Sequence, residues 1–328
     1  MRDLTALPKA HLHIHLEGAM RPATLVELAA ESGLEAPAVR GFSDFRAFVE
    51  MYVAACSVLD CESRLRRLVR EVVEDAAADG VVWIEPAFYA PRYRSVFGDD
   101  RVTIEVVLDE LDASGRQLGV GTGLIVAADR TVDPAEAVEQ ATVAAALADR
   151  GVIGFGLAND ESRWPPEPFA PAFKVALDAG LLSVPHGGEL LGAPSVAACV
   201  DACGAHRVMH GIRAVEDPEL LRRIADLGIC LDVCPTSNVE LAVVERIEDH
   251  PLPHLLEAGV MCSINADDPL LFGPGVADEY RLCRDRLGLT DSELARIAVW
   301  SLEASAAPAD LIDRQVAAID IWLTQTPS

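Results

Sequence analysis

The chain of 328 residues is 51% hydrophobic and 24% charged, which excludes disorder and fibrous architecture and leaves enough apolar material for a substantial core. Its 27 basic residues stand against 52 acidic ones, a formal charge of −25 at pH 7 that repels phosphate backbones and anionic lipid, so neither nucleic acid nor a membrane surface is expected as partner. The N-terminal stretch MRDLTALPKAHLHIH lacks the apolar core of a signal peptide and no segment reaches the length of a membrane span, so a cytoplasmic location is the expectation.

Short segments rich in Val, Ile and Leu alternate with longer Ala, Leu, Glu and Arg stretches of helical spacing. In chain order the predicted strands are Ala10–Leu16, Val81–Phe88, Val120–Ala127, Val152–Leu157, Leu181–His186, Arg207–Gly211, Ile229–Cys234 and Val260–Asn265. Helices are predicted between them at Glu62–Asp79, Thr103–Leu118, Pro134–Asp149 and Glu216–Leu227, with Asp133-Pro134 and Asp217-Pro218 as capped starts. The long gap after the first strand carries two more, Arg21–Gly33 and Asp44–Val58, placed to cap a barrel mouth, and Val276–Arg286, Asp291–Ala304 and Ala309–Leu323 close the chain. Strand then helix, repeated, implies parallel pairing with right-handed crossovers. No linker rich in Gly, Ser or Pro divides the sequence, so the expected fold is α/β, a single (β/α)8 TIM-type barrel domain over residues 1–328. A doubly wound open sheet is the competitor. The placement of polar residues disfavours it: His13 and His15 end the first strand, His186 the fifth and His210 the sixth, while Asp267 and Asp268 follow the eighth. In a barrel these positions share one mouth.

Residues two apart on a strand face the same way, so His13 and His15 of HLHIH can reach one ion. His11 shares their parity but lies deeper, and a structural, hydrogen-bonded role is expected for it. SVPHGGEL offers His186 at a strand end and Glu189 three residues on, beyond two glycines that permit a sharp turn. An ordinary glycine turn with exposed polar residues is the bland alternative. Buried neighbours such as Asp267 and Asp268 repel one another unless a cation or a donor relieves them, which makes a metal near Asp267 economical. Three histidines and an aspartate around one ion describe a hydrolytic zinc centre. Binuclear barrel hydrolases commonly bridge two metals with a carboxylated lysine on a middle strand. The two lysines here do not fit that place, since Lys9 precedes the first strand and Lys174 lies on a predicted helix, so one zinc per chain is expected. The eight cysteines are too dilute for a disulfide scaffold, and Cys199 and Cys203 read as neighbours packed on a helix face.

The motifs PKAHLHIHLEG from Pro8, HGGE, HGI, CPTSN from Cys234 and NADDP from Asn265 resemble, in order and over nearly the whole chain, the adenosine deaminase family of the amidohydrolase superfamily. The resemblance implies zinc on His13, His15, His186 and Asp267. It further implies that Glu189 protonates purine N1, that His210 orients the zinc hydroxide and assists its deprotonation, and that Asp268 engages N7. Catalytic roles thus fall on Glu189, His210 and Asp267, and substrate contacts on His15, Glu17, Asn159 and Asp268, with an adenosine-like purine nucleoside as the small-molecule partner. Two departures bear on substrate. Glu17 replaces the aspartate that meets the ribose 5'-hydroxyl in adenosine deaminases, and GLANDE puts Gly156 and Asn159 where the family commonly has an acid and a glycine. Asn tolerates unusual backbone angles better than most residues, so the turn is expected to survive. FGL at Phe155 and SVPH at Ser183 are closer to the aminodeoxyfutalosine deaminases, which take a large 5' substituent, and HLEG also occurs in adenine deaminases. The HxE…PCxxC arrangement of cytidine deaminases is absent.

Overall fold

A computed structural model describes residues 1–325. Eight strands run in order round a barrel: β1 (Lys9–His15), β2 (Val81–Phe88), β3 (Leu124–Asp129), β4 (Val152–Ala158), β5 (Leu182–Gly187), β6 (Arg207–His210), β7 (Cys230–Val233) and β8 (Cys262–Ile264). Each is paired in parallel with the next. The order never reverses, which sets the chain apart from a doubly wound sheet. The expected strands are therefore present, with ends displaced by a residue or two. One is split: the stretch predicted from Val120 breaks at Gly123, whose N–H donates to the Ile84 carbonyl, and the piece ahead of it, Gly121–Thr122, pairs separately with β2. Lys9 opens β1 rather than preceding it, and its Nζ donates to the Asp79 carbonyl at 2.6 Å, at the strand's N-terminal end.

The barrel closes between β1 and the loop that follows β8. Ile14 bridges Asp267 in parallel register, the His15 N–H donates to the Asp267 carbonyl at 3.0 Å and the Asp267 N–H to the His13 carbonyl at 3.2 Å. Lower on the seam, where β8 forms no ladder with β1, the Asn265 side-chain oxygen accepts the N–H groups of Leu12 and His13 at 2.8 and 3.0 Å. An amide side chain thus stands in for missing sheet partners, which the rule that buried backbone groups must be paired demands.

Ala87, Ile125, Ala127, Val184 and Met209 form a small apolar cluster of their own, while a much larger apolar layer holds strands and helices together. At the start of β6, Arg207 donates to Glu85 at 2.7 Å and to Asp232 at 2.9 Å, all three fully buried. Helices begin where Asp side chains accept orphan N–H groups: Asp133 and Asp217 do so with Pro at the first helical position, as expected. The helix read from Thr103 starts at Asp100 instead, because Asp99 accepts the N–H groups of Arg101 and Val102. Pro134–Ala146 ends short of Asp149, and Glu216 belongs to a 3-10 turn ahead of Pro218–Leu227. The short helices Pro235–Glu240 and Leu252–Glu257 give too few turns for a periodicity to show.

Two helices in the first gap, α1 (Pro22–Glu31) and α2 (Phe45–Cys56), are those expected at the mouth. Phe48 of α2 stacks on Phe272, beyond β8, with ring centroids 5.3 Å apart, and Tyr52 of α2 donates to Glu17 at 3.1 Å. Among the described residues no helix is long and apolar enough to cross a membrane.

Candidate active site

The strand ends bring six sequence-selected side chains together. His13 Nε2 lies 3.2 Å from Asp267 Oδ1, His15 Nε2 3.4 Å from the same oxygen, and His15 Nε2 3.2 Å from His186 Nε2. His210 Nε2 stands 3.5 Å from Glu189 Oε1 and 3.9 Å from Asp267 Oδ2. Left-handed backbone angles aim several of these groups: His210 has φ +64, Asp267 φ +58 and Asn159 φ +82, three of the four such non-glycine residues among those described. Unusual backbone of this kind costs about 1–3 kcal/mol each and persists where the surroundings enforce it. Gly188, at φ +68, makes the turn that returns Glu189 to the cavity.

The remote ring nitrogens decide what this cluster can bind. His13 Nδ1 meets the Asp232 carbonyl at 3.0 Å and His186 Nδ1 meets the Leu157 carbonyl at 3.0 Å. A carbonyl only accepts, so in each ring Nδ1 carries a proton; burial keeps His186 neutral with a lone pair on Nε2, whereas Asp267 raises His13, whose Nε2 presents a lone pair once its second proton is lost. His13 Nε2 faces a carboxylate oxygen and is wholly buried without a hydrogen-bond partner. Acceptors turned upon one another in this way fit a divalent cation with nitrogen and oxygen ligands. The ligand atoms of His13, His15 and His186 lie within 4.8 Å of one another, as do those of His15, Asp267 and Asp268. Cys234 Sγ also approaches His13, but on the Nδ1 side already occupied by the Asp232 carbonyl.

Protonation states follow from burial and neighbours. Burial alone would raise Asp267, but the proton of His13 beside it holds its carboxyl well below the usual range, and Asp267 in turn raises His13. Glu189 and Asp268 are pushed well above theirs, first by burial and then by the charge of Asp267. Burial lowers His15 to about 4 and His210 to about 3, leaving neutral imidazoles.

The cluster opens into a cavity of about 440 Å³, within the range of small-molecule sites. Glu17, Asn159 and Asp268 line it together with Phe45, Phe48, Val49 and Tyr52 of α2. Glu17 accepts from Tyr52 at 3.1 Å and Tyr93 at 3.2 Å. Asn159 keeps the turn, as expected, and its amide donates to both Asp129 oxygens at 3.0 Å. Asp268 Oδ1 is buried without a partner. His11 takes the expected structural part, its Nε2 accepting the Ala266 N–H at 3.1 Å.

Sequence reasoning passed over several supports. Ser237 donates to Asp267 Oδ2 at 2.7 Å, and Glu161 accepts the N–H groups of Gly188, Leu190 and Leu191 and the Ser195 hydroxyl, so it holds the HGGE loop in place. Arg130 donates to the His186 carbonyl at 2.6 Å. The SN of CPTSN and the DE of GLANDE were visible, but nothing local says what such residues touch.

The sequence matches the family model described as adenosine deaminase over residues 8–321. A Streptomyces virginiae protein named as an adenosine/adenine deaminase is 46% identical over 335 residues, covering 98% of each chain. Among solved structures, the adenine deaminase of Arthrobacter aurescens superposes with a TM-score of 0.90 at 30% identity, covering 97% of this chain and 99% of that one. An amidohydrolase from Burkholderia ambifaria with bound zinc superposes with a TM-score of 0.87 at 28% identity, covering 98% and 92%.

Proposed function

Because the chain belongs to the adenosine deaminase family and is accordingly a hydrolase of carbon–nitrogen bonds in adenine-like substrates, we propose that it removes the 6-amino group of an adenosine-like purine nucleoside, giving the 6-oxo purine and ammonia, with one zinc ion per chain. The observation that carries the reading is the convergence of His13 Nε2, His186 Nε2 and Asp267 Oδ1 beside Glu189, a carboxyl that burial and the charge of Asp267 push well above its ordinary range.

His13, His15, His186 and Asp267 would hold the metal. When bound, zinc supplies a water of lowered pKa at neutral pH. The rest falls to side chains. Glu189, as a neutral acid, donates to purine N1, which draws electrons from C6 and opens it to attack. Asp268 is likewise neutral, and its unpartnered oxygen is available to hydrogen-bond N7, an acceptor on the purine ring. Asp267 stays ionised and can receive a proton, and His210 stands against both carboxyls beside the point of attack. Glu17 takes a sugar hydroxyl. A carboxylate offers about four acceptor positions, so two tyrosine hydroxyls leave capacity for a third donor.

The cavity supports a nucleoside, since its lining includes Tyr89, Asp129 and Glu136, groups suited to neutral hydroxyls, beside Arg92 and Arg94. Free adenine is the second reading, favoured by the two tyrosines that already occupy Glu17.

Elemental analysis is expected to find about one zinc per chain, lost together with activity in His13→Ala and Asp267→Ala. Ammonia release is then compared across adenosine, 2'-deoxyadenosine, adenine, 5'-methylthioadenosine and aminodeoxyfutalosine. Adenosine is expected to have the highest kcat/KM. A clear preference for adenine or for aminodeoxyfutalosine overturns the nucleoside reading, and active protein without metal overturns the zinc centre.

A further inference from the structure

Behind His210 a chain of buried side chains leads away from the cavity, and its direction can be read from its far end. The Leu252 N–H, a group that only donates, lies 3.1 Å from His250 Nδ1. That nitrogen is therefore an acceptor, and the proton of His250 sits on Nε2. His250 Nε2 in turn lies 3.1 Å from the side-chain amide of Asn238, which must present its oxygen there. The NH2 of the same amide is left facing His210 Nδ1 at 3.2 Å. His250, Asn238 and His210 are each at most 3% exposed, so no solvent competes for these positions. Burial also depresses His250 to about 4, which leaves it a single ring proton and one possible polarity. The backbone of Asn238 is pinned as well, because its carbonyl accepts the N–H groups of both Val243 and Val244 at 2.9 Å.

We propose that Asn238 and His250 are positioning residues that lock His210 in the tautomer with its proton on Nε2, so that His210 donates a hydrogen bond to the attacking oxygen and does not take its proton. The contrast with its neighbours is built from the same parts. His13 and His186 turn Nδ1 toward carbonyls and so present lone pairs to the metal position, whereas His210 turns Nδ1 toward an amide NH2 and so presents an N–H. What faces that N–H agrees, since both Glu189 Oε1 at 3.5 Å and Asp267 Oδ2 at 3.9 Å can accept. This reassigns the role the family resemblance implied for His210: a held donor stabilises charge developing on the oxygen, and a ring without a lone pair on Nε2 cannot be the base there.

The proposal rests on the deaminase reading only for its kinetic consequence, so two readouts are needed. The first is 15N NMR of imidazole-labelled, metal-free protein without substrate, with the His210 signals assigned by their loss in His210→Asn. Nε2 is expected in the N–H range and Nδ1 in the lone-pair range. The second is kcat and KM of the zinc-loaded enzyme at pH 8.5. Asn238→Asp keeps the shape but puts an acceptor against Nδ1, so Nε2 is expected to move toward the lone-pair range while kcat falls about 100-fold, the scale of losing one such donor, and KM changes less than fivefold. His250→Gln retains an N–H donor toward Asn238 and is expected to stay within about threefold of wild type, whereas His250→Leu, the alternative should the buried Asp prevent folding, is expected to lose about tenfold with mixed Nε2 character. A lone pair on Nε2 in the wild type overturns the proposal, as does an Asn238→Asp or His250→Leu enzyme in which kcat falls while the tautomer is unchanged. Absence of deaminase activity on every substrate, with the tautomer as stated, refutes the proposed function and leaves the positioning chain intact.

Discussion

Gly18 sits in the short 3-10 turn after β1, with Asp268 directly against it. A methyl group there would lie 1.6 Å from Asp268 Oδ1, 2.6 Å from its Cγ and 2.9 Å from its Cβ. Contact between carbon and oxygen needs a little over 3 Å, so the carboxyl must retreat by about 1.5 Å, and the proximity of all three atoms means that rotation about one bond is not enough. The backbone itself tolerates alanine, since Gly18 does not have a positive φ. Gly18→Ala therefore isolates the position of the Asp268 carboxyl from the conformation of the turn. Overpacking of this kind costs about 1–3 kcal/mol of stability. A displacement of about 1 Å at a substrate-positioning group costs on the order of 100-fold in rate. The expected outcome is a folded protein with unchanged zinc content, a modestly lower Tm and kcat/KM on adenosine reduced about 100-fold. Stopped-time ammonia release, thermal denaturation and elemental analysis on one preparation give all three. Activity within threefold of wild type in a folded, zinc-loaded Gly18→Ala enzyme would refute both the fixed position of Asp268 and its part in holding the purine.

Glu189→Gln keeps the shape and removes the proton donor, so kcat is expected to fall by at least about 100-fold with zinc content unchanged; kinetics with elemental analysis check it. Arg207→Met leaves Glu85 and Asp232 buried without their cation, and equilibrium denaturation is expected to show a loss of about 3–5 kcal/mol, the scale found when one partner of a buried ion pair is removed. Glu279, raised to about 8 by burial, binds a proton in the folded state that it releases when unfolded above its ordinary value near 4.5, so folding stability declines as pH rises from about 4.5 to 8. Glu279→Gln, which cannot ionise, is expected to gain in Tm relative to wild type from pH 5 to pH 9, and a constant difference across that range would refute the assignment.

What the sequence alone determined rests on local periodicity and on chemistry that advertises itself. The alternation of HLHIH put His13 and His15 on one face because a strand repeats every two residues, and the succession of strand and helix left few topologies for the whole chain. Polar residues at the ends of the first, fifth, sixth and eighth strands then pointed to a shared mouth, so Glu189, His210 and Asp267 could be named before any distance was known. Only the tertiary structure decided the partners, because each is a contact between elements far apart in the chain. The proton on His13 follows from the carbonyl of Asp232, 219 residues away, and the charge of Glu85 is met by Arg207 across 122 residues. Asn265 reads in sequence as the end of the eighth strand and the start of NADDP, yet its side-chain amide closes the barrel against β1. Likewise Asn238 and His250 carry no periodicity that betrays a connection to His210. A side chain's type is written in the sequence, but its protonation and orientation depend on which donors and acceptors the closed barrel brings within about 3 Å, and burial, by removing competing water, makes those few contacts decisive.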